Sequence, residues 1–560
     1  MAELWVGSCL QQSMVIANAS LSREQIYFKT VHESIPILHL FRYNTATVSE
    51  PRLRPPIYLR YIICAIGASV SPTYTLMHNA LYRASRKTLE DVELNDHSAE
   101  SIPLARPQAW ILIAVYELLQ MHFHRWWMST ARAVRLSQIM GLHLVDGTRP
   151  SKRMFPMAKD WAEVEEQRRT FWMAFALDRY AAFGYGAPMI IDEKDVRTFS
   201  LNSRILPKAA LLKASQVHTL LPVREESYQE CIETDTMSLS QALDARNVAN
   251  LPPFAAGIVL TAEVGHKLKQ LQQDDLANSS RLPQDSFWQK INWLDDTLHY
   301  AFSVPPHLAA SGYNHTPILT FLHMCAPSST ILLHQAAEEQ ASAHGITPSS
   351  LMESQALRLA AAEMVASTMR LASHIDVRLL HPFTGPALFT AARVLMRSLT
   401  VRTDENQQRS LKVLLDAMGQ LQAVNPLTGG YFKDLDAEFP GMRKALYAQM
   451  HASTVPNFSG SDTPSTTSSY TPTPPLITPG LGDLPFVNGF ILNQHQPETT
   501  RTEALSSVTV TTQAPYAQSY PVTHPSVSAN ILHESVVVAC TQGQGPDSGL
   551  YFSEDQFFQP

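Results

Sequence analysis

The chain has 560 residues, 45% of them hydrophobic and 17% charged, with a net charge of −7. That is length for one large domain or two modest ones, and the acidic balance excludes a general attraction of the whole chain to nucleic acid. The five cysteines, Cys9, Cys64, Cys231, Cys325 and Cys540, are scattered with no CxxC pair, so no clustered metal site can be read from them and a reducing compartment is expected.

The opening MAELWVGSCL lacks a basic region followed by a long apolar one, and the most apolar runs are too short for a bilayer. A soluble intracellular protein is expected. Tyr27-Phe28, His32 and Pro36-Ile37-Leu38-His39 come first, and packing explains the two histidines better than ligand binding. Tyr58 to Val70 reads as a buried helix, and Leu76 to Glu93 as a second whose run Arg83, Arg86, Lys87 suits a solvated face. Pro107 opens a third, Gln108 to Met121, and a fourth runs from Ser129 to Met140 before Gly141. Together these two make an antiparallel hairpin. His122 and His124 between them point to different faces on a helix, which argues against a metal pair. Arg149 and Ser151-Lys152-Arg153 form a small basic loop of the kind that assists nuclear import.

The next helix starts at an Asp160 cap with Glu163 three residues on, and it ends at Gly184, Gly186 and Pro188. Trp161, Val164, Phe171 and Phe175 fall at helical spacing toward a core. Glu165, Arg168, Arg169, Asp178 and Arg179 sit among these aromatics and need partners if buried, so a structural ion-pair network is expected rather than catalysis. Residues 197–250 are mixed and polar, with no assigned element. Further helices are expected over Phe254 to Leu271, Phe287 to Ala301, Pro317 to Glu339, Leu351 to Ile375, Pro386 to Met396 and Leu411 to Leu421. No alternating strand pattern occurs before residue 450, so the fold class is all-α: a large multi-helix regulatory domain with a disordered C-terminal tail. The expected division is a short segment at 1–20, the domain at 21–450 and a Ser/Thr/Pro-rich tail at 451–560.

Several segments, in their order, resemble the fungal-specific transcription factor domain, the helical region that follows zinc-cluster DNA-binding domains in fungal regulators. They include Tyr27-Phe28 with the Pro36 to His39 step, Ala131 to Leu136 with Met140 to His143, and Arg168-Arg169-Thr170-Phe171-Trp172. Leu177 to Tyr180, Gly186-Ala187-Pro188 ending in Ile191-Asp192, and His381-Pro382-Phe383 with Ala391-Ala392-Arg393 complete the set. Ala187 stands where the family pattern has an arginine. The resemblance, over roughly residues 25–425, implies a nuclear transcription regulator, often of a secondary-metabolite gene cluster. It also implies DNA as a partner through a zinc cluster of six cysteines, which these 560 residues do not contain. The alternative is a cluster-less partner or repressor that heterodimerises with a full-length zinc-cluster regulator.

No P-loop, dinucleotide fingerprint, nucleophile elbow or H-E-x-x-H motif occurs. The enzyme rival is a helical, magnesium-dependent terpenoid synthase, for which Asp274-Asp275 and Asp295-Asp296 are the only acidic pairs on helical stretches of the right kind. Neither pair has the further carboxylate that a hard magnesium site wants. No catalytic, cofactor or metal residue is therefore assigned, and no cofactor or membrane contact. A filled core is expected around Trp172, Phe175, Tyr180 and Tyr185, with an apolar pocket there for a small-molecule inducer as the alternative. In the tail, Phe486, Phe490, Tyr551, Phe552, Phe557 and Phe558 lie near acidic residues, the composition of segments that fold onto a coactivator.

Overall fold

The computed structural model describes residues 23–96, 102–147, 158–185, 188–191, 217–243, 251–277, 316–343 and 349–454. Every regular element among them is helical. The tail past Thr454, the helix expected over Phe287 to Ala301, the basic loop at 149–153 and the pair Asp295-Asp296 lie outside these residues. So do the side chains of Asp274 and Asp275.

The amino-terminal half begins with α1 (23–30) and α2 (Leu40–Val48), followed by α3 (Ile57–Ser69) and α4 (His78–Asn95). Next come the hairpin α5 (Ala105–Leu119) and α6 (Phe123–Ile139), and α7 (Trp161–Tyr185). Two short helices follow, α8 (Glu225–Gln229) and α9 (Leu239–Ala242), and then α10 (Pro253–Ala277). The carboxy-terminal half is α11 (Pro317–Ala343), α12 (Ser349–Leu371), α13 (Thr384–Val401), α14 (Glu405–Leu421), α15 (Pro426–Glu438) and α16 (Met442–Thr454).

Neighbours in sequence pair as antiparallel hairpins, α3 with α4, α5 with α6, and α11 with α12, as short connections dictate. Helix α10 packs on α7 on one side and on α11 on the other, and so joins the two halves. Helix α15 touches α5 as a second join.

Two close approaches fix this arrangement. Gly67 lies in the last turn of α3, and a Cβ there would stand 2.2 Å from the Arg23 carbonyl oxygen, so α1 meets α3 with its backbone against the bare glycine. The α5–α6 turn is made by Met121, whose φ is +58°, and the Met121 sulfur fills the space over Gly430 in α15.

This tight turn corrects one expectation. Because the chain reverses within three residues, α6 starts at Phe123 rather than Ser129, and Trp126 and Trp127 are helical. Arg86 is a second correction. Its guanidinium turns inward, bonds Glu117 at 2.5 Å and lies 5.5 Å from the Trp110 ring, so the basic run of α4 is not wholly solvated. Glu117 is fully buried and also accepts from the Tyr82 hydroxyl at 2.6 Å.

Candidate functional site

Helix α7 is the centre of the molecule. The Asp160 side chain accepts from the Glu163 amide at 2.9 Å, and the Glu163 carboxylate accepts from the Lys159 amide at 2.7 Å. The expected cap is therefore present, with its return bond displaced by one residue. From Gln167 to Arg179 every side chain is buried. A helix covered on all sides carries no apolar stripe, and the expected inward face was too narrow: Trp161 and Val164 are half-buried, whereas the charged residues are inside.

Two ion-pair knots hold those charges. In the first, the Glu165 carboxylate accepts from Arg169 Nε at 2.9 Å, Arg168 Nη1 at 3.3 Å and the Val223 amide at 3.0 Å. Arg168 also forks onto Asp146, at 2.6 and 3.0 Å. Arg169 donates to the carbonyls of Pro36 at 3.1 Å and Val223 at 3.0 Å, bonds Glu225, and lies 4.1 Å over the Tyr228 ring. In the second, Asp178 accepts from the amides of Ile190 at 3.1 Å and Ile191 at 3.2 Å and from Arg179 at 2.8 Å. Arg179 returns a bond to the Ile191 carbonyl at 2.9 Å and covers the Phe175 ring at 4.3 Å. Its stem passes over Gly265 in α10, where a Cβ would come within 2.9 Å. Both knots tie α7 to chain segments through backbone groups, which is the structural network expected from the sequence.

The segment 217–228 is what the sequence did not reveal. It has no element in the sequence reading, yet it supplies the Leu220 and Val223 backbone and the Glu225 carboxylate to these bonds, and the Trp172 indole donates to the Leu220 carbonyl at 2.7 Å. It has no periodicity to detect, because long-range bonds fix it rather than an apolar face.

The histidines are packing groups. His32 is buried, and burial pulls its pKa down to about 4 against the opposing charge of Glu225. His39 caps α2 by accepting from the Arg42 amide at 3.4 Å, and it lies 3.3 Å from the Cys231 sulfur. His122 precedes α6 and His124 stands exposed in its first turn. Among the described residues no three His, Cys, Asp or Glu side chains converge as a metal would need. No helix among them is long and apolar enough to cross a membrane.

Where the two halves meet there is a cavity of about 140 Å³. Leu118, Phe123 and Trp126 line it from the α5–α6 hairpin, Tyr180 from α7, and Gly257, Leu260, Thr261 and Val264 from α10. Helix α11 contributes Phe321, Cys325, Ser328 and Ser329, and the other carboxy-terminal helices contribute Phe383, Ala387, Thr390 and Tyr431. Its aromatic walls are braced by ring contacts: Tyr180 meets Phe383 edge-on at 5.1 Å, and Phe321 stacks on His381 at 3.8 Å. His381 is buried, which holds its pKa down at about 3 and keeps the ring neutral.

Of the aromatics Trp172, Phe175 and Tyr180, only Tyr180 reaches this cavity. Trp172 and Phe175 are packed edge to face at 5.3 Å in filled core, and the Tyr185 side chain lies outside the described residues. The two core aromatics occupy the side of α7 that carries the knots.

Residues 25–245 match the fungal specific transcription factor domain. The pigment biosynthesis transcriptional activator of Monascus ruber is 28% identical over 419 residues, covering 74% of this chain and 72% of that protein. The abscisic acid cluster transcription factor of Leptosphaeria maculans is 29% identical over 344 residues, 59% of this chain and 57% of its own length. A citrinin biosynthesis transcriptional activator of Monascus ruber is 28% identical over 312 residues, 56% of this chain and 57% of that protein. No solved structure matches.

Proposed function

Because the chain carries a fungal specific transcription factor domain at residues 25–245, we propose that it acts in the nucleus as a transcription regulator, not an enzyme, and governs a secondary-metabolite gene cluster. The observation that carries this is the likeness to relatives named as regulators of pigment, citrinin and abscisic acid clusters. The geometry agrees with it: the buried charges of α7 are spent on one another and on backbone carbonyls and amides.

The proposed DNA contact runs through a zinc cluster, which no cysteines of these 560 residues form. A heterodimer with a zinc-cluster regulator, for activation or repression, is the second reading. A coactivator is the proposed partner of the 451–560 tail, and a metabolite is the proposed inducer. Deleting the gene in its host and sequencing transcripts tests the main reading. Coordinate loss of one contiguous set of biosynthetic transcripts is expected. An unchanged transcript profile would overturn it. Purifying the tagged chain from nuclei and finding a zinc-cluster protein in equal amount would favour the heterodimer.

A further inference from the structure

We propose that the cavity between the two helical halves is a binding site for a small, neutral aromatic molecule that carries a hydroxyl donor. This deepens the reading of the chain as a metabolite-responsive regulator and rests on it only for its biological meaning.

The size comes first. At about 140 Å³, the cavity is close to an engineered apolar cavity of about 150 Å³ that stays dry and takes up benzene. A single six-membered ring with one or two substituents fits such a space. Its walls set the chemistry. Phe123, Phe321, Phe383 and Tyr431 offer ring edges and faces to another ring. No charged side chain and no histidine lines the cavity, so a carboxylate or an ammonium would lose its hydration with nothing in return. The ligand is therefore neutral.

The hydroxyls narrow it further. Thr261 donates its proton to the Gly257 carbonyl at 2.6 Å, and Ser328 donates to Met324 at 2.7 Å. Ser329 donates to Cys325 at 2.8 Å, and Thr390 to Pro386 at 2.8 Å. Each of these four wall hydroxyls has spent its only proton one turn back in its own helix. What each still offers is lone pairs. The Tyr180 hydroxyl is bonded to Thr261. The wall hydroxyls are thus mainly acceptors, set in apolar surface beside the donor groups of Trp126 and Tyr431. A phenolic hydroxyl, which both donates and accepts, satisfies such a wall, whereas a ketone or ether of the same size leaves the wall acceptors unmatched. Burial raises the Cys325 thiol far above its ordinary range, so it stays protonated and meets the ligand as a soft apolar group.

The position gives the site its consequence. The wall includes α5, α6 and α7 from the matched region and α11, α13 and α15 from beyond it. A molecule bound there touches both halves at once and favours whichever arrangement encloses it.

The test uses the full chain with three probes: phenol, toluene and benzoate. At about 3 mM, where all three probes dissolve, phenol is expected to raise the thermal midpoint by roughly 0.5–2 °C, toluene by less, and benzoate not at all. Filling the cavity with Ala387→Leu is expected to abolish the phenol shift while keeping the helical circular dichroism. If that variant does not fold, Leu332→Phe fills the space from the α11 wall and serves in its place. A phenol shift that survives the filling, or no phenol shift in the natural chain, overturns the site. Benzoate binding as well as phenol overturns the neutral-ligand argument. None of these readouts involves transcription, so failure of the site leaves the regulator reading standing, and loss of the regulator reading leaves the site measurable.

Discussion

Glu166→Gln isolates one half-buried carboxyl. Glu166 sits beside the first knot and accepts from Gln108 Nε2 at 2.9 Å. Burial lifts its pKa from 4.5 to about 7, against the pull of the Gln108 bond and of Arg42, and the nearby Glu163 and Asp160 push the same way as burial. A folded-state pKa above the unfolded one means that the native state binds the proton more tightly. Below pH 4.5 both states are protonated and the group costs nothing. Between pH 4.5 and 7 the unfolded chain ionises first, so stability falls as pH rises, and above pH 7 the full cost remains. A shift of this size corresponds to about 3 kcal/mol as an upper bound. Glutamine retains the oxygen that Gln108 donates to and cannot ionise. The stability difference between variant and natural chain should therefore be near zero at pH 4.5 and grow to between about 1 and 3 kcal/mol at pH 8, read by urea unfolding at each pH. All other titrating groups are shared by the two proteins and cancel. A difference that stays constant across this range, or a variant that is the less stable one at pH 8, would refute the reasoning.

Three further outcomes are expected. Glu165→Gln leaves two buried guanidinium groups with one carboxylate fewer and should lower stability by about 3–5 kcal/mol, whereas the surface pair change Arg409→Gln should cost under about 1 kcal/mol; equal losses in urea unfolding would show that the first knot is not the anchor. Gly67→Ala drives a Cβ into the Arg23 carbonyl and should separate α1 from α3, seen as faster amide exchange along residues 23–30 with α11–α14 unaffected; unchanged exchange would disprove the close approach. A fusion of residues 480–560 to an unrelated DNA-binding domain should activate a reporter and lose at least most of that activity when Phe486, Phe490, Tyr551, Phe552, Phe557 and Phe558 become alanine; full activity in the alanine form would sink the aromatic mechanism.

The sequence made the helices legible where an apolar period met clear punctuation. Helix α3 follows Pro55-Pro56 and stops near Ser71-Pro72, and its expected span differs from Ile57–Ser69 by one residue at each end. Helices α10 and α11 were found for the same reason, although α11 runs on through Pro327 to Ala343. Where the signal was local but ambiguous, the reading slipped. Trp126-Trp127 looked like a connection because nothing in the residues announces the positive φ of Met121. The helices α15 and α16 were passed over, the first because its Gly429-Gly430 step breaks helical propensity while serving the Met121 contact. The cavity was not legible at all. Its walls come from residues as far apart as Leu118 and Tyr431, and no periodicity along one chain segment reports what seven helices leave open between them.

Arg169 joins Pro36, Glu165, Val223 and Glu225 at one guanidinium. These positions span almost the whole of the matched region, so the bonds on the cation close loops of more than a hundred residues on one side and more than fifty on the other. Loop closure on that scale must precede any reward from the contact. The cation therefore acts as a late gate in folding: until both distant segments arrive, a fully desolvated Arg169 is not available, and the α7 helix has to wait partly solvated. During synthesis this places the first half of the chain in a vulnerable interval that ends only when Glu225 has left the ribosome. The practical corollary concerns dissection. A cut between residues 36 and 165 takes the Pro36 carbonyl from this cation, and one between 169 and 223 takes Val223 and Glu225, so no piece of the amino-terminal half keeps all four partners.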